Sequence, residues 1–207
     1  KHYANPSSIY SEGRKTKSLI EKARTQVANA IGAKNTQIFF TSGGTEANNQ
    51  VLWNKLNKEK KHIIVSSIEH PAIIKVLKNI ERYGVTASFI PVNKNGLVEI
   101  ESVMKLIKKD TGLISIMLAN NEVGTIQPIQ EIIENTKSLN IPFHTDAVQA
   151  LGKIPIDVNS LGVDYLSLSA HKFYGPKGIG ALFVKNKKKI QSLIIGGDQE
   201  DGFRGGT

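Results

Sequence analysis

Short apolar segments alternate with helical patterns along most of the chain, and this alternation constrains the fold more than any other feature. Predicted strands cover residues 37–41, 62–66, 86–92, 113–118, 142–146, 164–168 and 180–184. Segments with helical spacing cover residues 16–31, 45–56, 71–83, 98–108 and 129–139. Strand–helix alternation requires crossover connections, so we predict an α/β fold of three layers, with a mostly parallel mixed sheet and helices on both faces.

Length and composition narrow the class of protein. A chain of 207 residues suits a single domain or a large part of a bigger protein. It has no membrane-spanning apolar run and a polar start, so we expect a cytoplasmic protein. It has no cysteine, which excludes disulfides and thiolate chemistry within these residues. The net charge of +9 comes with short lysine runs that lack interleaved aromatics, so we predict a solvated face rather than a nucleic-acid site.

A glycine turn follows the first predicted strand and opens a predicted helix. Residues 41–48 read Thr-Ser-Gly-Gly-Thr-Glu-Ala-Asn, which places Gly44 and Thr45 at the helix start. Glycines let the backbone approach an anion closely, and the free N–H groups of a helix start favour phosphate. The Gly-Lys-Ser/Thr ending of a P-loop is absent. The motif therefore indicates either a phosphate cradle or a simple helix cap made by Ser42 or Thr45.

Two further polar motifs follow predicted strands, and each leaves two interpretations open. His70, in Glu69-His70-Pro71, can stack on a flat ring and move protons near neutral pH, or it can be an ordinary loop histidine. Asn121, in the Asn-Asn-Glu-Val-Gly run 120–124, can donate to a carboxylate or a phenolic oxygen. Asparagine and glycine are also common turn residues, so this run can be turn chemistry alone.

Asp146 and Gln149 lie at the end of another predicted strand. A buried carboxylate needs a charged partner, and a protonated pyridine nitrogen is such a partner. Gln149 can then donate to an oxygen on the same ring. A metal ion is the alternative for a carboxylate at a strand end, but no compatible ligand set accompanies it, and we predict no metal site.

Residues 169–180 read Ser-Ala-His-Lys-Phe-Tyr-Gly-Pro-Lys-Gly-Ile-Gly, with Lys172 between a predicted strand and a rigid turn. A lysine held partly desolvated near other cations loses its proton easily and can attack a carbonyl. Pyridoxal 5'-phosphate (PLP) supplies such a carbonyl, and the Schiff base turns the cofactor into an electron sink. With a phosphate cradle, a stacking histidine and an acid at other strand ends, this lysine predicts a PLP site.

In this order the motifs resemble those of the class V, fold-type I PLP enzymes, and most closely the cysteine desulfurase family of the NifS/IscS type. The resemblance extends over residues 5–8, 13–14, 40–49, 69–70, 120–124, 127–129, 144–149, 169–180 and 204–207. It implies the large domain of the PLP-dependent transferase fold. It also implies removal of sulfur from L-cysteine, giving L-alanine and an enzyme-bound persulfide for iron–sulfur cluster assembly or thiolation pathways.

The resemblance implies roles around the cofactor ring. Lys172 would carry the Schiff base, and His70 would stack over the ring and move protons. Asp146 would pair with the pyridine nitrogen, and Gln149 would bond the ring oxygen. Asn121 would contact the substrate or that oxygen.

The resemblance also implies how the phosphate is held and which partners the protein has. The phosphate contacts would come from Gly44, Thr45, Ser169 and His171. Thr207 would reach the cofactor phosphate of another subunit, which implies a homodimer. A sulfur-acceptor scaffold protein is a further implied partner.

The chain departs from the family pattern in three ways. It lacks the Asp-Asn-Ala strand at the family's start, and it has Tyr10 where the family often has histidine. It also lacks the small domain after Thr207 that carries the nucleophilic cysteine and an arginine for the substrate carboxylate. We therefore expect residues 1–207 to be a single PLP-binding domain of a longer enzyme, inactive alone. The alternatives are a selenocysteine lyase or aminotransferase of the same class, or a non-catalytic scaffold.

Overall fold

A single mixed sheet forms the centre of the computed structural model, which describes residues 3–206. Its strands are β1 (Ile38–Thr41), β2 (His62–Ser66), β3 (Thr86–Ile90), β4 (Thr111–Ser115), β5 (Phe143–Asp146), β6 (Tyr165–Ser169) and β7 (Gly180–Val184). They lie in the order β1-β7-β6-β5-β4-β2-β3. Strands β6, β5, β4, β2 and β3 pair in parallel, whereas β7 is antiparallel to both of its neighbours.

Helices cover both faces of this sheet. They are α1 (Ser11–Ala30), α2 (Gly44–Trp53), α3 (Pro71–Ile80), α4 (Ile100–Leu106), α5 (Ile129–Thr136) and α6 (Val158–Leu161). Successive strand residues point to opposite faces. Ile64 of β2 accordingly packs in the core shared with α1, α4, α5 and α6, and its neighbours Ile63 and Val65 pack in the core shared with α2 and α3. The predicted three-layer α/β fold is confirmed.

The predicted elements are all present, but several of their bounds were wrong. Helix α1 begins at Ser11 rather than at residue 16, and the short helix α6 was not predicted. The helices predicted over 45–56, 71–83 and 129–139 each end in a separate 3-10 turn, and the one predicted over 98–108 is shorter at both ends. Strand β3 stops at Ile90 because Pro91, which follows it, has no N–H to donate to a ladder.

Residues 116–118 were predicted as part of a strand and lie just beyond β4. They stay bonded to β5, because the Ile116 N–H donates to the His144 carbonyl and the Leu118 N–H donates to the Asp146 carbonyl. The sequence signal therefore marked a real extended segment. Within residues 3–206, no helix is long and apolar enough to cross a membrane.

Residues 200–203 are held against α1 and β1 by a largely buried ion pair and an aromatic contact. The Arg24 guanidinium of α1 donates to both carboxylate oxygens of Glu200, with N–O distances of 2.5 and 2.8 Å. Glu200 also accepts the Phe40 N–H at 2.8 Å, and Phe203 packs on Phe39 with ring centroids 4.3 Å apart. This segment is thereby held beside the strand that leads into the glycine turn.

We predict that Glu200→Gln destabilises the protein by about 3 kcal/mol, because it removes the charge that compensates the buried Arg24 guanidinium. Its neighbour Asp201 provides a matched control, since it pairs with Lys187 at 3.9 Å on the surface. We expect Asp201→Asn to change stability by about 0.5 kcal/mol or less. Urea unfolding of the two variants measures the difference, and equal effects would contradict a structural role for the buried pair.

Candidate active site

The loops that carry the predicted site residues leave the same edge of the sheet. Strands β1, β2, β4, β5 and β6 run in one direction, so their carboxyl ends lie side by side. Along this edge the glycine turn follows β1, Lys172 follows β6 and Asp146 ends β5. Asn121 follows β4, and His70 follows β2. Ligands of such sheets bind at this edge.

The glycine turn packs tightly against neighbouring loops. A Cβ on Gly44 would lie 2.6 Å from Cγ2 of Val148 and 3.5 Å from Cβ of Ser169, so only glycine fits without a shift. The capping residue of α2 is Gly43, and no side chain caps this helix end. The interpretation of the motif as a cap made by Ser42 or Thr45 was therefore wrong.

Ser169 joins the glycine turn to the loop after β6. Its buried hydroxyl is hydrogen-bonded to Nδ1 of His171 at 2.9 Å and lies 3.8 Å from where a Cβ on Gly43 would be. Thr45 and His171 are exposed beside it. The structure thus brings four of the predicted phosphate contacts together, at the start of α2 and at the end of β6 with the turn that follows it. Thr207, the fifth, lies outside the described residues.

Lys172 lies in a 3-10 turn formed by Ala170–Phe173. The turn closes tightly, because the Gly175 N–H donates to the Ala170 carbonyl at 2.9 Å and Tyr174 takes a left-handed conformation with φ of 67°. The lysine itself is exposed. The expectation of a partly desolvated amine is therefore wrong as far as residues 3–206 are concerned.

Asp146 is the most deeply buried of the predicted site residues that carry a charge, and only 6% of its surface is exposed. Its Oδ2 accepts from the Asn48 side chain at 2.7 Å, and its Oδ1 accepts from the Val148 N–H at 3.0 Å. Burial raises the pKa of Asp146, while the two hydrogen bonds and the nearby His70 act in the opposite direction. No lysine or arginine forms an ion pair with it within residues 3–206.

Asn48 is a site residue that the sequence reasoning missed. It lies on the buried side of α2, one turn after the helix start, and is 1% exposed. Its amide holds the Asp146 carboxylate, whereas its own Oδ1 has no partner within the described residues. The available signal was its position at the end of the glycine motif, on the helix face that carries Ala47, Val51 and Leu52.

His70 caps the start of α3 and is exposed toward the site edge. Its Nδ1 accepts the Ala72 N–H at 3.1 Å. A neutral His70 therefore carries its proton on Nε2, which is free to donate. Burial has the larger effect and raises the pKa of Asp146, while the charge of a protonated His70 acts in the opposite direction.

Glu69, which precedes His70, was also missed as a site residue. It is 7% exposed, and its Oε1 accepts from the Ser66 hydroxyl at 2.5 Å and the Met117 N–H at 2.8 Å. Its Oε2 is buried without a partner within residues 3–206. Burial raises the pKa of Glu69 to about 8, with a smaller contribution from the Asp146 charge.

The remaining predicted residues lie at the rim. Asn120 makes the turn, because its Oδ1 accepts the N–H groups of Glu122 and Val123, and this leaves Asn121 exposed. Turn chemistry is therefore confirmed for the first asparagine of the pair. Gln149 is half-buried and its Oε1 accepts from Lys153 Nζ at 2.7 Å, so its amide N–H groups remain available as donors.

These residues fit PLP by the chemistry of their donors. A buried carboxylate without an ion-pair partner suits a protonated ring nitrogen, and the glycine turn at a helix start suits a phosphate. Lys172 follows β6, which lies between β1 and β5 in the sheet, and a lysine amine is the group that would react with an aldehyde there. Within residues 3–206 no group of three or more histidine or acidic side chains is arranged to hold a metal ion.

The comparisons with known proteins agree with this assignment. The Aminotransferase class-V family model matches residues 1–204, and the chain belongs to this family, whose members use PLP. The chain is 51% identical to cysteine desulfurase IscS of Dictyoglomus turgidum over 99% of its own length and 53% of that protein. It is 44% identical to the mitochondrial cysteine desulfurase of Candida albicans over 99% of its length and 43% of that protein. The chain thus spans about half the length of these curated relatives.

Solved structures show the same relationship. A NifS-like protein superposes with a TM-score of 0.96 at 43% identity, covering 100% of this chain and 58% of that one. A structure described as SspA in complex with cysteine superposes with a TM-score of 0.94 at 42% identity, covering 100% of this chain and 61% of that one. The resemblance to the NifS/IscS type that the motifs indicated is confirmed.

We predict that Gly44→Ala destabilises the protein by about 1–3 kcal/mol and weakens phosphate binding, because the new methyl group collides with Val148. Val148→Ala removes the colliding Cγ2. We therefore expect the double variant to lose less stability than the sum of the two single variants. Urea unfolding of all four proteins measures this coupling, and strictly additive losses would contradict the packing described here.

Proposed function

We propose that this chain is the PLP-binding domain of a cysteine desulfurase. The observation that carries the proposal is the buried Asp146 carboxylate, which lacks an ion-pair partner within residues 3–206 and shares an edge with the glycine turn and Lys172. The similarity to IscS proteins supports the desulfurase reaction in particular. PLP, when bound, supplies an electron sink for the charge that develops next to the substrate α-carbon.

Asp146 holds the ring nitrogen of the cofactor in its protonated form. Its carboxylate is fixed by Asn48 on one oxygen and by the Val148 N–H on the other, so it cannot turn away from the ring. In a buried site such a charge pair interacts much more strongly than in water. The energy cost of burying the carboxylate is thereby offset when the cofactor is present.

The phosphate is held by the turn at the start of α2. Gly44 lets the backbone come close, and the N–H groups of the first helical turn face the anion. Thr45 and Ser169 add hydroxyl donors, and His171, bonded to Ser169, adds an imidazole. A cofactor held by these residues would have its phosphate at the start of α2, with Lys172 on the neighbouring loop after β6.

Lys172 and His70 move the protons of the reaction. Lys172 would bind the cofactor aldehyde through its Nζ and, when that amine is free, would act as a base for the substrate α-proton. His70 would donate a proton from Nε2, since its Nδ1 already accepts the Ala72 N–H. Gln149 donates to the ring oxygen, and Asn121 contacts that oxygen or the substrate.

The substrate that the proposal assigns is L-cysteine, whose sulfur leaves to an attacking thiolate. The chain contains no cysteine, so the thiolate comes from outside these 207 residues. Dimerisation, transfer to a sulfur-acceptor scaffold protein and a cytoplasmic location stay predictions of the same proposal. A selenocysteine lyase or an aminotransferase would use the same cofactor contacts and would differ in the substrate turned over.

Lys172→Ala tests the proposal in the full-length protein, with Lys177→Ala as a matched control because Lys177 is an exposed lysine in the same β6–β7 connection. After borohydride reduction, we expect a stoichiometric pyridoxyl mass on the peptide containing residue 172 in the wild type and in Lys177→Ala. Lys172→Ala should carry none and lose L-cysteine desulfuration by about 100-fold or more. A stoichiometric adduct that persists in Lys172→Ala would show that the assignment is wrong.

A further inference from the structure

Glu69 connects the ends of two strands at the site edge. Ser66 is the last residue of β2, and Met117 follows β4, and both donate to the same carboxyl oxygen, Oε1. Glu69 is also the residue directly before His70. The carboxyl group therefore fixes the backbone that presents the histidine ring relative to the centre of the sheet.

The second carboxyl oxygen of Glu69, Oε2, is buried and accepts no hydrogen bond within residues 3–206. Within the described residues, only Glu69 Oε2 and Asn48 Oδ1 are buried side-chain atoms without a hydrogen-bond partner. Asn48 is the residue that holds the Asp146 carboxylate. Glu69 is linked to the same strand end through Met117, because the next residue, Leu118, donates its N–H to the Asp146 carbonyl at 2.9 Å.

The groups around the Glu69 carboxyl supply no positive charge. Ser66 and Met117 contribute an uncharged hydroxyl and a backbone N–H. The charged group that acts on Glu69 is Asp146 on β5, which is itself an acid. Two neighbouring buried carboxyl groups resist being ionised together, because each negative charge raises the cost of the other.

The hydrogen bonds at Asp146 favour an ionised carboxylate more than those at Glu69 do. Both Asp146 oxygens accept hydrogen bonds, from Val148 and Asn48, and His70 favours its ionised form. Glu69 accepts on one oxygen only, and its free Oε2 is the atom that takes a proton. Burial accordingly raises the pKa of Glu69 to about 8.

We propose that Glu69 is a positioning residue that stays protonated at neutral pH, anchors the backbone before His70, and leaves Asp146 as the ionised member of this pair of buried carboxyl groups. The part that concerns the ring rests on the proposed function. A neutral Glu69 keeps the two strand ends joined without adding a second anion beside the ring nitrogen. An ionised Glu69 would compete with Asp146 for that nitrogen and for His70.

The test uses infrared difference spectra of the full-length holoenzyme, comparing the wild type with Glu69→Gln. The glutamine amide keeps an acceptor for Ser66 and Met117 and reproduces the shape of a neutral acid. We expect the wild type to show the C=O stretch of a protonated carboxylic acid at neutral pH, absent from Glu69→Gln, and to lose it as the pH passes about 8. Glu122→Gln, at an exposed acid nearby, is the control and should leave this band in place.

Stability provides a second readout with a defined sign. Between the ordinary glutamic acid pKa of 4.5 and about 8, the folded protein binds a proton at Glu69 that the unfolded chain has released. The free energy of unfolding of the wild type should therefore fall relative to that of Glu69→Gln as the pH rises through this range. Its slope against pH should correspond to about one proton. In kinetics, Glu69→Gln should retain a kcat at least about ten times that of Glu69→Ala, which leaves both donors without an acceptor.

Absence of the acid band at neutral pH, or a Glu69→Gln variant as impaired as Glu69→Ala, would overturn the proposal. The infrared and stability readouts do not depend on turnover. An acid band in a protein that forms no PLP adduct would therefore support the protonation of Glu69 and count against the proposed function alone.

Discussion

The site depends on one buried carboxylate. Asp146 lies at the end of the central strand β5, almost inaccessible to water, and its two oxygens are held by one helix side chain and one backbone N–H. A charge in such a place is costly unless a cation completes it. The glycine turn, the turn that holds Lys172, and His70, which caps α3, lie along the same edge of the sheet, where a bound cofactor would supply that cation.

The parallel sheet brings these features together. Because strands β2, β4, β5 and β6 run in one direction, loops from distant parts of the chain open at one edge. The antiparallel strand β7 reverses the direction once and so lets β1 contribute its carboxyl end to the same edge. The glycine turn then packs against Val148, in the loop after β5, and against Ser169, the last residue of β6, so the phosphate and ring contacts are coupled by packing.

Much of this arrangement could be predicted from the sequence because it depends on local patterns. The alternation of strands and helices predicted the three layers. The position of polar residues at strand ends predicted that Asp146, His70 and Lys172 share one edge of the sheet. Asn48 and Glu69 could not be predicted in the same way, since their importance comes from contacts with residues 98 and 48 positions away. The exposure of Lys172 likewise depends on what surrounds its turn, which a local motif does not encode.

The most direct test of the account is the protonation of the cofactor ring nitrogen. We would load the full-length protein with PLP labelled with 15N in the ring and record its NMR shift at about pH 7, in the wild type and in Asp146→Asn. The account predicts a protonated ring nitrogen in the wild type and an unprotonated one in Asp146→Asn. An unprotonated nitrogen in the wild type, or no change in the variant, would contradict the claim that this buried carboxylate organises the site.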